Sequence, residues 1–458
     1  MFEVLIAAPA SGSGKTAVTC ALLAALSKRG LFPCAFKCGP DYIDPMFHRT
    51  VLGVESHNLD LFLCEKDRLQ TLYTRFRTGH QAVVCEGVMG FYDGVGMTDR
   101  ASAWEIASLL KLPVLLVVRP KGVSLTLAAQ IKGLCQFRPD SRIAGIFLND
   151  CSPMLFASLA PMLERETGLP VVGYLPHMEE AAFESRHLGL YTAGEIDGLQ
   201  QRIEVLACKL EETTDMGRLL ALFSRDTDIA DSSISPVKPV VRIGIAQDEA
   251  FCFTYAESLS ALTDAGAELI PFSPMRDTVL PENLGGLYLP GGYPELYAQE
   301  LSENTALRQQ ICKAVTDGLP TVAECGGFLY LGQQLEDSQG ISYPMAGVLP
   351  GTARRQQRLV RFGYTTLIAR QDSLLFEKGE QIPVHEFHYW DSTHNGEDFE
   401  AIKPVTGKSW TCGFAGPSLY AAFPHLYLGG NTRLAERFVK AAAGYAARCS
   451  AREDKKEE

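Results

Sequence analysis

Two stretches of the 458-residue chain place side chains at spacings that can do chemistry. The first is "PASGSGKT", residues 9–16. Its Gly14-Lys15-Thr16 end is the tail of a phosphate-binding loop, although Pro9 stands where the G-x-x-x-x-G-K-[ST] pattern has its first glycine. Such a loop works because successive backbone N–H groups and the N-terminus of the next helix point at an anion. Ser11, Gly12, Ser13, Gly14, Lys15 and Thr16 supply those parts, with Lys15 as a mobile positive charge and the Thr16 hydroxyl as a ligand for Mg2+. A plain Gly/Ser turn with a surface lysine is the competing reading. The strand-like run before the loop and the helix-like run after it disfavour that alternative.

A magnesium nucleotide needs further hard oxygen ligands. "KCGPDYIDP" offers Asp41 and Asp44, and "VVCEGVMGFYDG" offers Glu86 and Asp93, all just beyond strand-like runs. Ligands of open α/β sheets collect at the carboxyl ends of strands, so these carboxylates are expected to converge on residues 8–16. Asp44 before Pro45 and Asp93 before Gly94 also read as turn acids. Asp41 and Glu86 are the stronger metal candidates.

The second stretch is "TVAECGGFLYLG", residues 321–332. Cys325 ends a strand-like run and precedes two glycines and a helix-like segment, the layout of a nucleophile elbow. The helix N-terminus is expected to lower the thiol pKa. Gly326, with Gly291 or Gly292 of "LYLPGGYPE", offers backbone N–H groups for an oxyanion hole. His425 in "YAAFPHLYLGGN" is the preferred base, with His385 and His388 of "VHEFHYW" as competitors. The H-x-x-H spacing of that pair also suggests a metal site, but Phe387 and Tyr389 favour a half-buried strand with a structural or pocket role. One cysteine among 13 is ordinarily a small buried hydrophobe; the strand, the two glycines and the second glycine turn upstream argue for catalysis here.

The elements that must hold these groups are legible as alternating patterns. Residues 2–9, 32–37, 82–87, 112–120 and 142–150 read as strands, several apolar throughout, and residues 15–29 as a helix. Strands alternating with helices predict a doubly wound α/β domain over residues 1–225. "RDTDIADSSISPVKPV" reads as a linker, placed at 226–240. "VVRIGIAQD" restarts the alternation in a second α/β domain, 241–447, and residues 448–458 read as a disordered, solvated tail. The net charge of −12 and the pI near 5.4 argue against a nucleic acid or an anionic membrane as partner. The scattered cysteines contain no C-x-x-C pair, no apolar run reaches bilayer length, and no signal peptide is recognisable, so a cytoplasmic location is expected.

The whole length resembles the cobyrinate a,c-diamide synthase family. The resemblance rests on "PASGSGKT", "KCGPDYIDPMFH", "EGVMGFYDG", "ESRHLGL", "AFCFTYAESLSAL", "GAELIPFSP", "LPGGYPE", "AECGG" and "HEFHY", in that order. It implies a dethiobiotin-synthetase-like, P-loop NTPase-like ATP-binding domain followed by a class I-type, flavodoxin-like glutamine amidotransferase domain. It implies that glutamine is hydrolysed at Cys325 with His425, and that ammonia passes to a carboxylate phosphorylated by Mg-ATP. It further implies that Thr16, Asp41 and Glu86 suit Mg2+, that Asn149 recognises adenine, and that Tyr42, Ile43 and Asp93 help place a cobyrinate-like tetrapyrrole. The a and c side chains of that macrocycle would be amidated. One departure stands out: class I amidotransferases carry a glutamate two residues after the histidine, and here that position is Tyr427. The resembled family also lacks it, so a Cys–His dyad is expected. A homodimer is a further, open expectation. Relatives acting on Ni-sirohydrochlorin or hydrogenobyrinate share these motifs, and a non-catalytic nucleotide-binding scaffold is the alternative of a different class.

Overall fold

The computed structural model describes residues 1–179, 193–226 and 237–457. "ESRHLGL" at 184–190 lies outside the described residues, as does 227–236 of the expected linker. The chain divides into two compact units, Met1–Ser233 and Ile234–Glu458.

The first unit is built on seven parallel strands: β1 (Phe2–Ala7), β2 (Pro33–Cys38), β3 (Glu55–Leu59), β4 (Ala82–Glu86), β5 (Val114–Val118), β6 (Ile143–Asn149) and β7 (Val171–Leu175). Their order is β3-β2-β4-β1-β5-β6-β7. Val4, Leu5 and Ile6 of β1 are fully buried, and burial of such side chains stabilises the fold by about 1.5–3 kcal/mol each. β1 therefore sits at the centre of the sheet, and its carboxyl end opens into the phosphate loop. Helix α1 (Lys15–Lys28) follows, rich in Ala and Leu. It stops where Gly30, at φ 75°, lets Leu31 N–H turn back to the carbonyl of Leu26. Helix α2 (Ile43–Leu52) follows β2.

The second unit centres on a six-stranded sheet. Parallel strands β8 (Val241–Ala246), β9 (Ala267–Phe272), β10 (Leu284–Leu289) and β11 (Thr321–Glu324) run beside Leu419–Ala422, which ends in an antiparallel partner, Phe414–Gly416. The spatial order is 414–416, 419–422, β11, β10, β8, β9. The five parallel members thus follow the flavodoxin-like order 2-1-3-4-5. Two further four-stranded sheets are built from short segments between residues 334 and 412. One of them contains Gln381–His388 as an edge strand.

The last helix runs Thr432–Glu457, into the segment expected as a tail. Beyond Gly444 no glycine or proline interrupts it, and Ala, Arg, Glu and Lys predominate, all good helix formers.

Candidate functional site

In the first unit the carboxyl ends of β1, β2, β4, β5, β6 and β7 surround an open cavity of about 810 Å3. Ser11, Gly12, Gly14, Lys15, Thr16, Asp41, Ile43, Glu86 and Asn149, all singled out in the sequence, line it. Gly14 adopts φ 95°, a left-handed turn, and precedes α1 without any side-chain cap or first-turn acid on that helix. A β-carbon on Gly14 would fall on the Asn149 amide, with Cγ at 2.7 Å. The Asn149 Nδ2 donates to the Ser13 carbonyl at 3.0 Å, so this side chain braces the loop from β6. Ser13 itself donates Oγ–H to Ala10 O within the turn.

The charged floor is assembled by strand pairing. Lys37 of β2 and Glu86 of β4 are opposite one another in register. The Lys37 Nζ lies 2.8 Å from Glu86 Oε1, 2.5 Å from Asp44 Oδ2 and 4.0 Å from Asp41 Oδ2. Thr16 Oγ1 donates to the same Glu86 Oε1 at 2.7 Å. Lys15 Nζ donates to the carbonyls of Met89 (2.5 Å) and Ala10 (3.4 Å), which holds it across the loop. Burial alone would lower Lys37, but Asp44, Glu86 and Asp41 outweigh it and hold the ammonium well above the usual lysine range. Burial raises Glu86 despite Lys37, and lowers Lys15 despite Glu86. Burial, and then Asp44, push Asp41 up to about 7.

These groups fit a divalent cation brought in with a nucleotide. Glu86 is fully buried, and its Oε2 has no hydrogen-bond partner among the described residues. Thr16 and Asp41 add hard oxygens beside it. Among the described residues no group of three His, Cys, Asp or Glu side chains could hold a metal unaided, so a cation here would depend on phosphate oxygens for the rest of its shell.

Three expected contacts lie off the cavity. Asp93 spends Oδ2 on the Gly90 amide at 2.9 Å, closing the turn after β4, which is the turn role its place before Gly94 suggests. Tyr42 sits at the N-cap of α2, and Ser13 is turned into its own loop; neither lines the cavity. Four lining residues with charged or titratable side chains escaped the sequence reading: Lys37, Arg119, Asp150 and His177. Arg119 pairs with Asp150 and donates to Gly12 O at 3.3 Å, and Asp150 pairs with His177 at 3.0 Å. The available signal was a lone cation within or just after an apolar strand, as in "PCAFKC" and "LPVLLVVRP".

In the second unit, Cys325 adopts φ 47°, ψ −100° between β11 and the helix Gly326–Leu331. A non-glycine residue at positive φ is strained, and such strain persists where the surroundings over-determine it. Here Cys325 N–H donates to Ala422 O at 2.8 Å, which pins the elbow to the neighbouring strand. A β-carbon on Gly326 would stand 3.1 Å from Gly292 N, so the two predicted oxyanion donors are neighbours. His425 follows Leu419–Ala422 by three residues and is tied by paired backbone hydrogen bonds to His385. Its ring lies against Gly291, where an added β-carbon would stand 2.5 Å from Cε1.

The expected lowering of the thiol is corrected. Burial pushes Cys325 up, Glu295 adds to this, and the hydrogen bond from the Gly326 amide opposes it without prevailing. Cys325 is only 8% exposed, and the short helix after it does not offset that desolvation. Burial therefore favours the neutral thiol, so an attack by Cys325 would need a base. Of the competing histidines, His388 is engaged elsewhere. Three apart on one strand, His385 and His388 face opposite sides and cannot chelate together. The His388 Nδ1 contacts Trp390 O at 2.7 Å, and its ring stacks on Phe423 at 3.7 Å.

A nucleotide-loop unit and a thiol-elbow unit on one chain define a glutamine-dependent amide-forming ligase. Comparisons with known proteins agree. A model of the CobQ/CobB/MinD/ParA nucleotide binding domain matches residues 4–190, and one of the CobB/CobQ-like glutamine amidotransferase domain matches residues 242–431. The chain is 37% identical to a cobyrinate a,c-diamide synthase of Dehalococcoides mccartyi, over 97% of this chain and 98% of that one. It is 39% identical to one of Clostridium acetobutylicum, over 96% and 100% respectively, and 38% identical to one of Caldanaerobacter subterraneus, over 93% and 94%. The chain belongs to the cobyrinate a,c-diamide synthase family. ATP is its co-substrate. Among the described residues no helix is long and apolar enough to cross a membrane.

Proposed function

We propose that the protein converts two acetate carboxylates of cobyrinate, a and c, to amides, using glutamine as nitrogen donor and ATP as activator. A carboxylate at neutral pH repels nucleophiles. Phosphorylation removes that charge and installs a leaving group, while cations stabilise the charge on the transferring phosphoryl group. Lys15 and the loop amides would bind the phosphates. Lys37, held between Asp44 and Glu86, would stand beside the reacting oxygens. Thr16, Glu86 and Asp41 would hold Mg2+, which would supply positive charge against the charge developing on the transferring phosphoryl group. Tyr42, Ile43 and Asp93 remain the proposed substrate-side residues, and Asn149 the proposed adenine contact alongside its bracing role.

At the other site, Cys325 would attack the glutamine carboxamide as His425 takes the thiol proton. The oxyanion would lie on the amides of Gly292 and Gly326, and His425 would return the proton to departing ammonia. The observation that supports this most is the pairing of Lys15 and Glu86 in one unit with the strained Cys325 in the other, within one chain of the family. The test is purified protein with cobyrinate, Mg-ATP and either glutamine or ammonium. Diamide should form with both donors, and Cys325→Ser should keep only the ammonium-driven reaction. If no amide forms, or Cys325→Ser still uses glutamine, the reading is lost. Parallel assays with Ni-sirohydrochlorin and hydrogenobyrinate rank the macrocycle, and a scaffold would show no glutamine hydrolysis at all.

A further inference from the structure

A histidine that takes a proton from a thiol on one ring nitrogen must carry its own proton on the other, and something must hold it in that tautomer. The position two residues after His425 is Tyr427, whose ring packs edge-on against Tyr255 at 5.0 Å and 82°. It supplies no carboxylate. A different carboxylate stands beside the imidazole. Glu324, the last residue of β11 and the neighbour of the nucleophile, is 1% exposed, and its Oε2 lies 3.8 Å from His425 Nδ1. That carboxylate is fixed from two further directions. Leu426 N–H donates to Oε1 at 3.0 Å, and the buried Tyr288 hydroxyl donates to Oε2 at 3.0 Å. One of these donors comes from β10 and the other from the segment that carries His425, so the carboxylate spans the three chain segments that form the site.

Gly291, His385, Tyr288 and Cys325 offer the ring no carboxylate. Gly291 offers only backbone against Cε1. His385, bridged to His425 through the main chain, is kept neutral, lowered to about 3 by burial and then by His425 itself. Tyr288 already donates its proton to Glu324. Cys325 is the reacting group.

We propose that Glu324 is the positioning residue of the glutaminase site. It holds the proton of His425 on Nδ1, leaves Nε2 to accept the thiol proton of Cys325, and stabilises the imidazolium that results. The third member of the Cys–His pair is thus carried by the strand of the nucleophile rather than by the segment after the base. The present 3.8 Å is an open form of the contact, which closes to hydrogen-bond distance when glutamine fills the site. This inference rests on the reading of Cys325 and His425 as the glutaminase pair.

The test is Glu324→Gln, which keeps size and can still accept from Leu426. Its amide N–H now faces Nδ1 and favours the opposite tautomer. The kcat for glutamine hydrolysis should fall by roughly 10²–10⁴ with KM little changed, because general-base efficiency is lost while no glutamine contact is touched. The pH profile of Cys325 alkylation by iodoacetamide should move to higher pH. The 15N signals of His425 should show the proton moving from Nδ1 to Nε2. Glutamine hydrolysis by Glu324→Gln within ~3-fold of the native protein, with an unmoved alkylation profile, would overturn the proposal. If Glu324→Gln does not fold, Glu324→Asp keeps the charge and answers in its place: a drop in kcat alone, with the alkylation profile unmoved, supports the assignment, and an equal effect on KM or none overturns it. Absence of glutamine hydrolysis in the native protein would instead defeat the underlying reading of the site.

Discussion

The two turns proposed to carry the chemistry share a plan and differ in where the strain is put. Each lies at the carboxyl end of an interior parallel strand, and each has a left-handed residue directly before a helix. In the first unit that residue is Gly14, at no steric cost, and the side chain that works is the next one, Lys15. In the second unit the left-handed residue is Cys325 itself, and the two glycines come after it. A loop that embraces an anion needs backbone N–H groups facing inward, so it needs a residue without a side chain. A nucleophile must stand out from its surroundings, so the strain falls on the reactive residue. The electrostatics differ as well. The first site sets several buried charges against one another, whereas at the second burial favours the neutral form of the Cys325 thiol.

The comparison would break most visibly at Lys37. Lys37→Met removes the cation shared by Asp44 and Glu86, all three nearly or fully buried. Stripping one partner from a buried network costs roughly 3–5 kcal/mol. Denaturant unfolding should show that loss in the first unit, and ATP-dependent synthesis should vanish. Cys325→Ser, which removes no charge, should leave the midpoint nearly unmoved.

The two glycine contacts sharpen it next. Gly14→Ala combines an unfavourable φ with a clash against Asn149, so ATP-driven amidation with ammonium should fall by about two orders of magnitude, a barrier increase of roughly 2.7 kcal/mol. Adding Asn149→Ala relieves the clash alone and should restore only part of the rate. Gly291→Ala should do the converse. It displaces His425, so glutamine hydrolysis should fall about tenfold, some 1.4 kcal/mol, while ammonium-driven synthesis stays intact. Steady-state rates with each nitrogen donor read both effects.

The smallest effect is a pH dependence carried by the first site. Asp41, raised to about 7, binds its proton more tightly in the folded chain than in the unfolded one. Its contribution to stability is therefore complete below about pH 4, the ordinary aspartate range, and is lost as pH rises through about 7. Because its side chain is still 32% exposed, the effect on stability is modest. Mg-ATP, which favours the carboxylate form, should release a fraction of a proton near neutral pH. Calorimetry in buffers of different ionisation enthalpy measures that release, and Asp41→Asn should abolish it.

Both turns were legible because strand, glycine turn and helix are contiguous in the chain. What the sequence hid is what only tertiary pairing reveals. β3, "ESHNL", has no apolar run, yet Ser56, His57 and Asn58 are buried because each finds a polar partner. Asn58 also donates to Asp41 O at 2.7 Å and so helps to set the loop that carries Asp41. Lys37 lies in plain view within a strand, but its value depends on Glu86, forty-nine residues away and opposite in register. The short antiparallel strands of the second unit, three or four residues in many cases, carry too little periodicity to be found. Glu324 stands next to Cys325 in the sequence, and only the folded chain brings it to His425.

The ammonium of Lys37 has one more consequence. It is a resident counterion, built into the chain and present before any ligand arrives. It already offsets part of the charge of Asp44 and Glu86, so free magnesium would find less unmet charge to draw it in. Under the proposed reading a divalent ion would come in with a triphosphate, and a single strand would then bias the order in which ligands load.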